Sequence, residues 1–129
     1  MDRVILVAVG GAVGSVLRYL TSGLAARWLS VDFPYGTLIV NVTGSLLIGV
    51  VQALAKEAAV IPEPARLFLS AGVMGGFTTY SAFSYETMRL VEMDAVGRAL
   101  VNVVVTTLVC LGVCALGLAA GRYAVTFRG

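Results

Sequence analysis

The sequence predicts an all-α membrane protein with four transmembrane helices, the third broken mid-membrane. Three observations lead there. The 129-residue chain is 59% hydrophobic and 12% charged, about half the charge of an average soluble domain. Its apolar residues gather into four stretches near the roughly 20 residues that a bilayer-spanning helix needs. The third stretch carries Gly75-Gly76 and then a run of hydroxyls and aromatic rings, residue types that weaken a helix. Placing the four helices leaves no room for a separate soluble domain, so residues 1–129 read as one transmembrane domain.

The first helix is expected over about residues 4–24. Met1-Asp2-Arg3 ahead of an apolar run has the outline of a signal peptide. Arg18 and the glycines before it spoil the core of such a signal, and more apolar segments follow, so the stretch reads as a retained helix. Gly10 and Gly14 share a face, as do Gly11 and Ser15, and small residues at that spacing let helix backbones approach. Arg18 falls on the Gly10–Gly14 face. Two readings stand level for it: a side chain that snorkels to the interface, or positive potential at a pore mouth.

The second helix, about 36–55, is opened by Pro34 and carries Thr37, Asn41 and Ser45 at four-residue steps, a polar line on one face. An amide at mid-membrane needs partners. Asn41 therefore makes an interhelical hydrogen bond or serves as a donor along an anion path. The third helix, about 65–90, is opened by Pro64. Irregular backbone inside it must face protein or a polar cavity, because lipid offers no hydrogen bonds. A helix broken there bares carbonyls from its first half and N–H groups from its second, and the former suit a cation, the latter an anion. The plainer reading is a glycine packing kink. Tyr80 and Phe83 share a face of the second half, and Glu86 ends it as a partner for Arg18 or an interfacial charge. The fourth helix, about 99–120, repeats a polar stripe with Asn102, Thr106 and Cys110, flanked by Thr107. One stripe alone is ordinary helix glue. Two stripes around a broken helix look more like a polar conduit.

Several classes of function fall away. A net charge of +2 without a basic cluster gives no nucleic-acid surface. Histidine is absent, and Cys110 and Cys114 alone make a poor zinc site and no disulfide framework, so they read as small apolar fillers. No nucleophile–base pair can be assembled, which argues against an enzyme. No phosphate-binding Gly-x-x-x-x-Gly-Lys motif is present. Arg3, Lys56, Arg66, Arg122 and Arg128 are expected on one side of the membrane against Arg27, Arg89 and Arg98 on the other, or those three with Arg18. So small a bias permits insertion in both orientations, and with it antiparallel pairing of two copies; one orientation set by the larger count is the alternative.

Gly75-Gly76-Phe77-Thr78-Thr79-Tyr80-Ser81-Ala82-Phe83-Ser84 with Glu86, Pro34-Tyr35-Gly36-Thr37 leading to Asn41 and Gly44, and the glycine-rich first helix ending in Arg18 together resemble the CrcB/Fluc family of fluoride channels. The resemblance covers the four-helix layout over nearly the whole chain. It implies an antiparallel dual-topology homodimer with two fluoride pores, in a bacterial plasma (inner) membrane. It also implies a structural sodium ion at the dimer centre, held by backbone carbonyls that match Gly75 and Thr78 of each copy. The family's pore phenylalanines match Tyr80 and Phe83, its pore asparagine matches Asn41, and its polar track matches Thr37, Ser81 and Glu86. A looser alignment adds Asn102, Thr106 and Cys110. Tyr80 stands where phenylalanine is typical, and the track on the fourth helix reads Asn, Thr, Cys where a tyrosine and serines are usual.

The function expected from the resemblance is passive, fluoride-selective export down an electrochemical gradient, with fluoride, the lipid bilayer and a second copy as the partners. A small four-helix multidrug exporter is the rival transporter, but it needs a carboxylate in the membrane core of the first helix, which residues 4–24 lack. A non-transporting membrane scaffold is the rival of a different class.

Overall fold

The computed structural model describes residues 2–57 and 60–127, and among them every regular element is helical. Helix α1 is Asp2–Trp28 and α2 is Tyr35–Glu57. The third rod, α3, is assembled from Glu63–Arg66, a π-helical stretch Leu67–Met74 and a closing turn Gly75–Phe77. Helix α4 is Tyr80–Glu92 and α5 is Val96–Thr126. Three spans are long and apolar enough to cross a membrane: Asp2–Trp28, Tyr35–Lys56 and Val96–Thr126.

The helices run past the apolar limits expected from the sequence. Asp2 sits in the first turn of α1, Arg27 in its last turn and Lys56 in the last turn of α2. Charges of that sign at those ends favour the helix dipole, so winding continues beyond the apolar core. Pro64 lies in the first turn of α3, where its missing N–H costs nothing. The π-helical winding was not expected. Such stretches are rare and mostly single turns, yet here one runs for eight residues.

Backbone-to-backbone packing holds the bundle together. A Cβ added at Gly10 would lie 2.6 Å from the Phe68 carbonyl oxygen, and one at Gly14 would collide with that of Val73. Gly76 meets the Gly11 carbonyl in the same way, so α1 and the π-helical rod touch main chain to main chain. Helices α2 and α5 make the most extensive pairing, with Gly49 against Cys114 and Gly117 against Leu46. Small residues at four-residue spacing supply this close approach, as the Gly10–Gly14 pair predicts. At one end of the bundle Arg3 pairs with Glu63 at 3.1 Å. At the other, Arg98 Nη1 donates to the Asp32 carbonyl at 3.0 Å and ties the loop after α1 to the start of α5. Arg128 lies outside the described residues.

Candidate functional site

The feature that organises the site is a two-residue gap between α3 and α4. Thr78 (φ −81°, ψ 158°) and Thr79 (φ −152°, ψ 115°) are extended, while Gly75 is α-helical (φ −60°, ψ −40°). The glycine pair is therefore not where the winding stops. Its second member, Gly76, lets the rod approach α1, and the stop comes at the threonines that follow.

Asn41 on α2 accounts for the stop. Its Oδ1 accepts from the Thr79 N–H at 2.8 Å, and its Nδ2 donates to the Thr79 carbonyl at 3.0 Å. One amide thus satisfies both polar groups of a residue that has left the helix. Thr79 then starts α4, its Oγ1 accepting from the Ala82 N–H at 3.2 Å as a helix N-cap. These bonds have a second effect. In an unbroken helix the Thr79 N–H would close on the Gly75 carbonyl and the Ala82 N–H on the Thr78 carbonyl. Both donors are diverted, to Asn41 and to Thr79 Oγ1, so the Gly75 and Thr78 carbonyls are released from the helical ladder. Gly75 is exposed and Thr78 half-buried. Freed carbonyl oxygens are the kind of ligand that a hard cation takes.

Beside the gap runs a groove of about 490 Å³. Asn41, Thr78, Tyr80, Phe83, Thr106 and Cys110 are among its walls, joined by Gly75, Ser45 and Thr107. The rings of Tyr80 and Phe83 lie 5.5 Å apart at 53°. Phe83 is buried, whereas Tyr80 is 80% exposed on the open side. Asn41 and Ser45 of α2, Thr106 and Cys110 of α5 and the aromatic pair of α4 thus converge on one place.

Other expected residues stand elsewhere. Thr37, one turn before Asn41, donates to Glu86 Oε1 at 2.9 Å, and the two line a smaller cavity of about 230 Å³ near the loop after α1. Glu86 lies mid-way along α4 rather than at its end, and its Oε2 is buried with no donor among the described residues. Arg18 is half-buried and makes no hydrogen bond or ion pair among the described residues, so it is not the partner of Glu86. Ser81 is exposed and touches Thr79 Oγ1 at 3.2 Å. Asn102 is 2% exposed and does not line the groove; both arms of its amide are taken, by Thr87 and by Thr106.

Sequence reasoning passed over Thr79, Ser70, Met74 and Thr87. A signal exists for Thr79, because a threonine ahead of a helical run is a capping residue. Ser70 and Met74 reach the groove through the π-helical winding, which no residue pattern announces.

The model of the family described as CrcB-like protein, Camphor Resistance (CrcB), matches residues 5–118. The chain belongs to this family. The match runs through both threonines of the gap and every wall of the groove. Among its CrcB relatives, a protein of Anaeromyxobacter dehalogenans (strain 2CP-1 / ATCC BAA-258) named fluoride-specific ion channel FluC is 50% identical over 86% of this chain and 88% of its own length. A protein of the same name from Thermus thermophilus is 52% identical over 78% of this chain and 79% of its own. One from Sorangium cellulosum is 43% identical over 95% and 96%. The alignments thus cover between 78% and 95% of this CrcB chain.

Proposed function

We propose that two antiparallel copies of this chain form a passive, fluoride-selective channel in a bacterial plasma membrane, with two pores per homodimer, exporting cytoplasmic fluoride. In this reading residues 63–77 and 80–92 together make a fourth crossing, interrupted at mid-depth. The observation that carries it is the two-residue extended gap, its Thr79 clamped by Asn41, beside a groove lined by Asn41, Ser45, Thr107 and the Tyr80–Phe83 pair. The names of the relatives support the choice of ion.

Fluoride is small and tightly hydrated, so a path must replace its water step by step without a site deep enough to trap it. Asn41 keeps one N–H beyond the bond it gives Thr79. The first turn of α4 adds the N–H groups of Tyr80 and Ser81, which have no helical partner. Phe83 and Tyr80 line the groove, where an aromatic edge would offer partial positive charge to an anion. Thr107 and Ser45 extend the donors along the groove, while Thr106 gives its proton to Asn102 and shows the groove only the rest of its side chain. Thr37, Glu86 and Ser81 form the outer part of the track, Asn102 supports it from behind, and Cys110 lines its far wall. Arg18 supplies positive potential from α1.

The freed Gly75 and Thr78 carbonyls fit the sodium ion implied by the family. Four of them, two from each copy, would hold it at the centre. It would supply a positive charge against oxygens whose loss of partners otherwise costs several kcal/mol each in lipid.

The test is efflux of fluoride from liposomes holding the purified protein, with a potassium ionophore to clamp the voltage. Rapid efflux of fluoride and none of chloride is expected. Vesicles that keep their fluoride would leave a scaffold, and proton-coupled flux of a cation in place of fluoride efflux would point to an exporter.

A further inference from the structure

Thr87 lies behind the groove and lines none of its wall. Its Oγ1 donates to the Phe83 carbonyl, one turn back on α4, at 2.7 Å. The same oxygen accepts from Asn102 Nδ2 of α5 at 2.9 Å. Asn102 Oδ1 in turn accepts from Thr106 Oγ1 at 3.3 Å. This chain of bonds begins at the backbone of Phe83 and ends at the hydroxyl of Thr106, two residues that do face the groove. Resting on the channel reading above, we propose that Thr87 is a positioning residue: acting through Asn102, it sets how far the Phe83 ring stands from Thr106 of α5.

Burial gives the linkage its force. Asn102 is 2% exposed and Thr106 8%, so water does not compete for either group. Asn102 is held from both ends of its amide, Oδ1 by Thr106 and Nδ2 by Thr87, which fixes its orientation between the two helices. A threonine hydroxyl bonded to the carbonyl four residues back also bends a helix slightly, which here places the turn bearing Phe83. The role belongs to this chain's own combination of residues: the asparagine on α5 is long enough to reach a hydroxyl on the back of α4. A shorter side chain at 102, or an apolar one at 87, would let α4 turn about its axis. The ring would then move relative to Thr106, although neither groove residue had been changed.

The experiment reconstitutes wild type, Thr87→Val and Thr87→Ser at low protein density, so that most active liposomes hold one channel. The fraction of liposomes that empty reports the amount of folded protein, and the rate in those that empty reports the path. Thr87→Val is nearly isosteric and removes both bonds. It should slow efflux per active liposome by about tenfold, the worth of one buried hydrogen bond, with the active fraction unchanged. Thr87→Ser keeps the hydroxyl and should run near the wild-type rate. A wild-type rate for Thr87→Val, or equal slowing by Thr87→Ser, overturns the assignment. If Thr87→Val gives no active liposomes, Thr87→Ala is read in its place; absence of activity there as well makes the hydroxyl a stability element and also overturns it. Wild-type liposomes that retain fluoride would refute the channel reading itself, a separate result.

Discussion

Asn41 performs two tasks with one amide, and a one-atom change separates them. Asn41→Asp keeps an oxygen to accept from the Thr79 N–H but sets a carboxylate against the Thr79 carbonyl. The fold should survive, because one of the two bonds remains and the changed group is only half-buried. Fluoride flux should vanish, because a negative charge now stands among donors meant for an anion. Liposome efflux with size-exclusion chromatography checks both halves, and wild-type flux would remove Asn41 from the path. Asn41→Ala differs in kind. It strands both the N–H and the carbonyl of Thr79, at about 1–3 kcal/mol for each buried group, and should lower thermal stability as well as flux.

At the scale of the element, the rod before the gap is set by contacts with main chain that cannot yield. A methyl at Gly76 meets the Gly11 carbonyl, and no flexible side chain stands between them. Gly76→Ala should therefore cost about 1–3 kcal/mol through overpacking, read as a lower midpoint in a thermal melt in detergent. Gly112→Ala is the control, since nothing lies within 4 Å of an added Cβ there. Much of this level was legible in the sequence. The four-residue spacing of Gly10 and Gly14, and of Thr37, Asn41 and Ser45, named faces that do meet neighbours or the groove. The place of the interruption was less legible. Glycine marks a weak point in a helix, but tertiary bonds decide whether the weakness is used, and the amide that decides it lies 38 residues away. Asn102 and Thr106 likewise read as a stripe of equals. Only the structure separates them, turning Thr106 to the groove and Asn102 toward Thr87. The π-helical winding that brings Ser70 to the groove has no local signature, because it arises from how the rod fits α1.

For the whole molecule the predictions concern pairing. If sodium joins the freed carbonyls of two copies, exchange of sodium for N-methylglucamine should loosen the dimer, measured as a faster rate of subunit exchange; indifference would count against the central ion. Dual orientation can be tested by charge. Val60→Lys with Tyr123→Lys strengthens the end that already holds Arg3, Lys56 and Arg66, while Val31→Lys with Met93→Lys strengthens the end with Arg27, Arg89 and Arg98; all four positions are exposed. Lys and Arg near helix ends set orientation. Each pair alone should give one orientation and little flux, and co-expression of the two should restore it. Full flux from either alone would mean that copies need not be opposed.

The clamp on Thr79 also bears on how the chain is made. A segment in which the Thr79 N–H and carbonyl look to another helix for their bonds is a poor candidate for entry into lipid alone. The ribosome, however, delivers the asparagine that satisfies them first, since α2 is finished before residue 79 emerges. The order of synthesis thus matches the order of need, and a circular permutant beginning at the loop after α2 would send the interrupted segment into the bilayer before its caretaker exists.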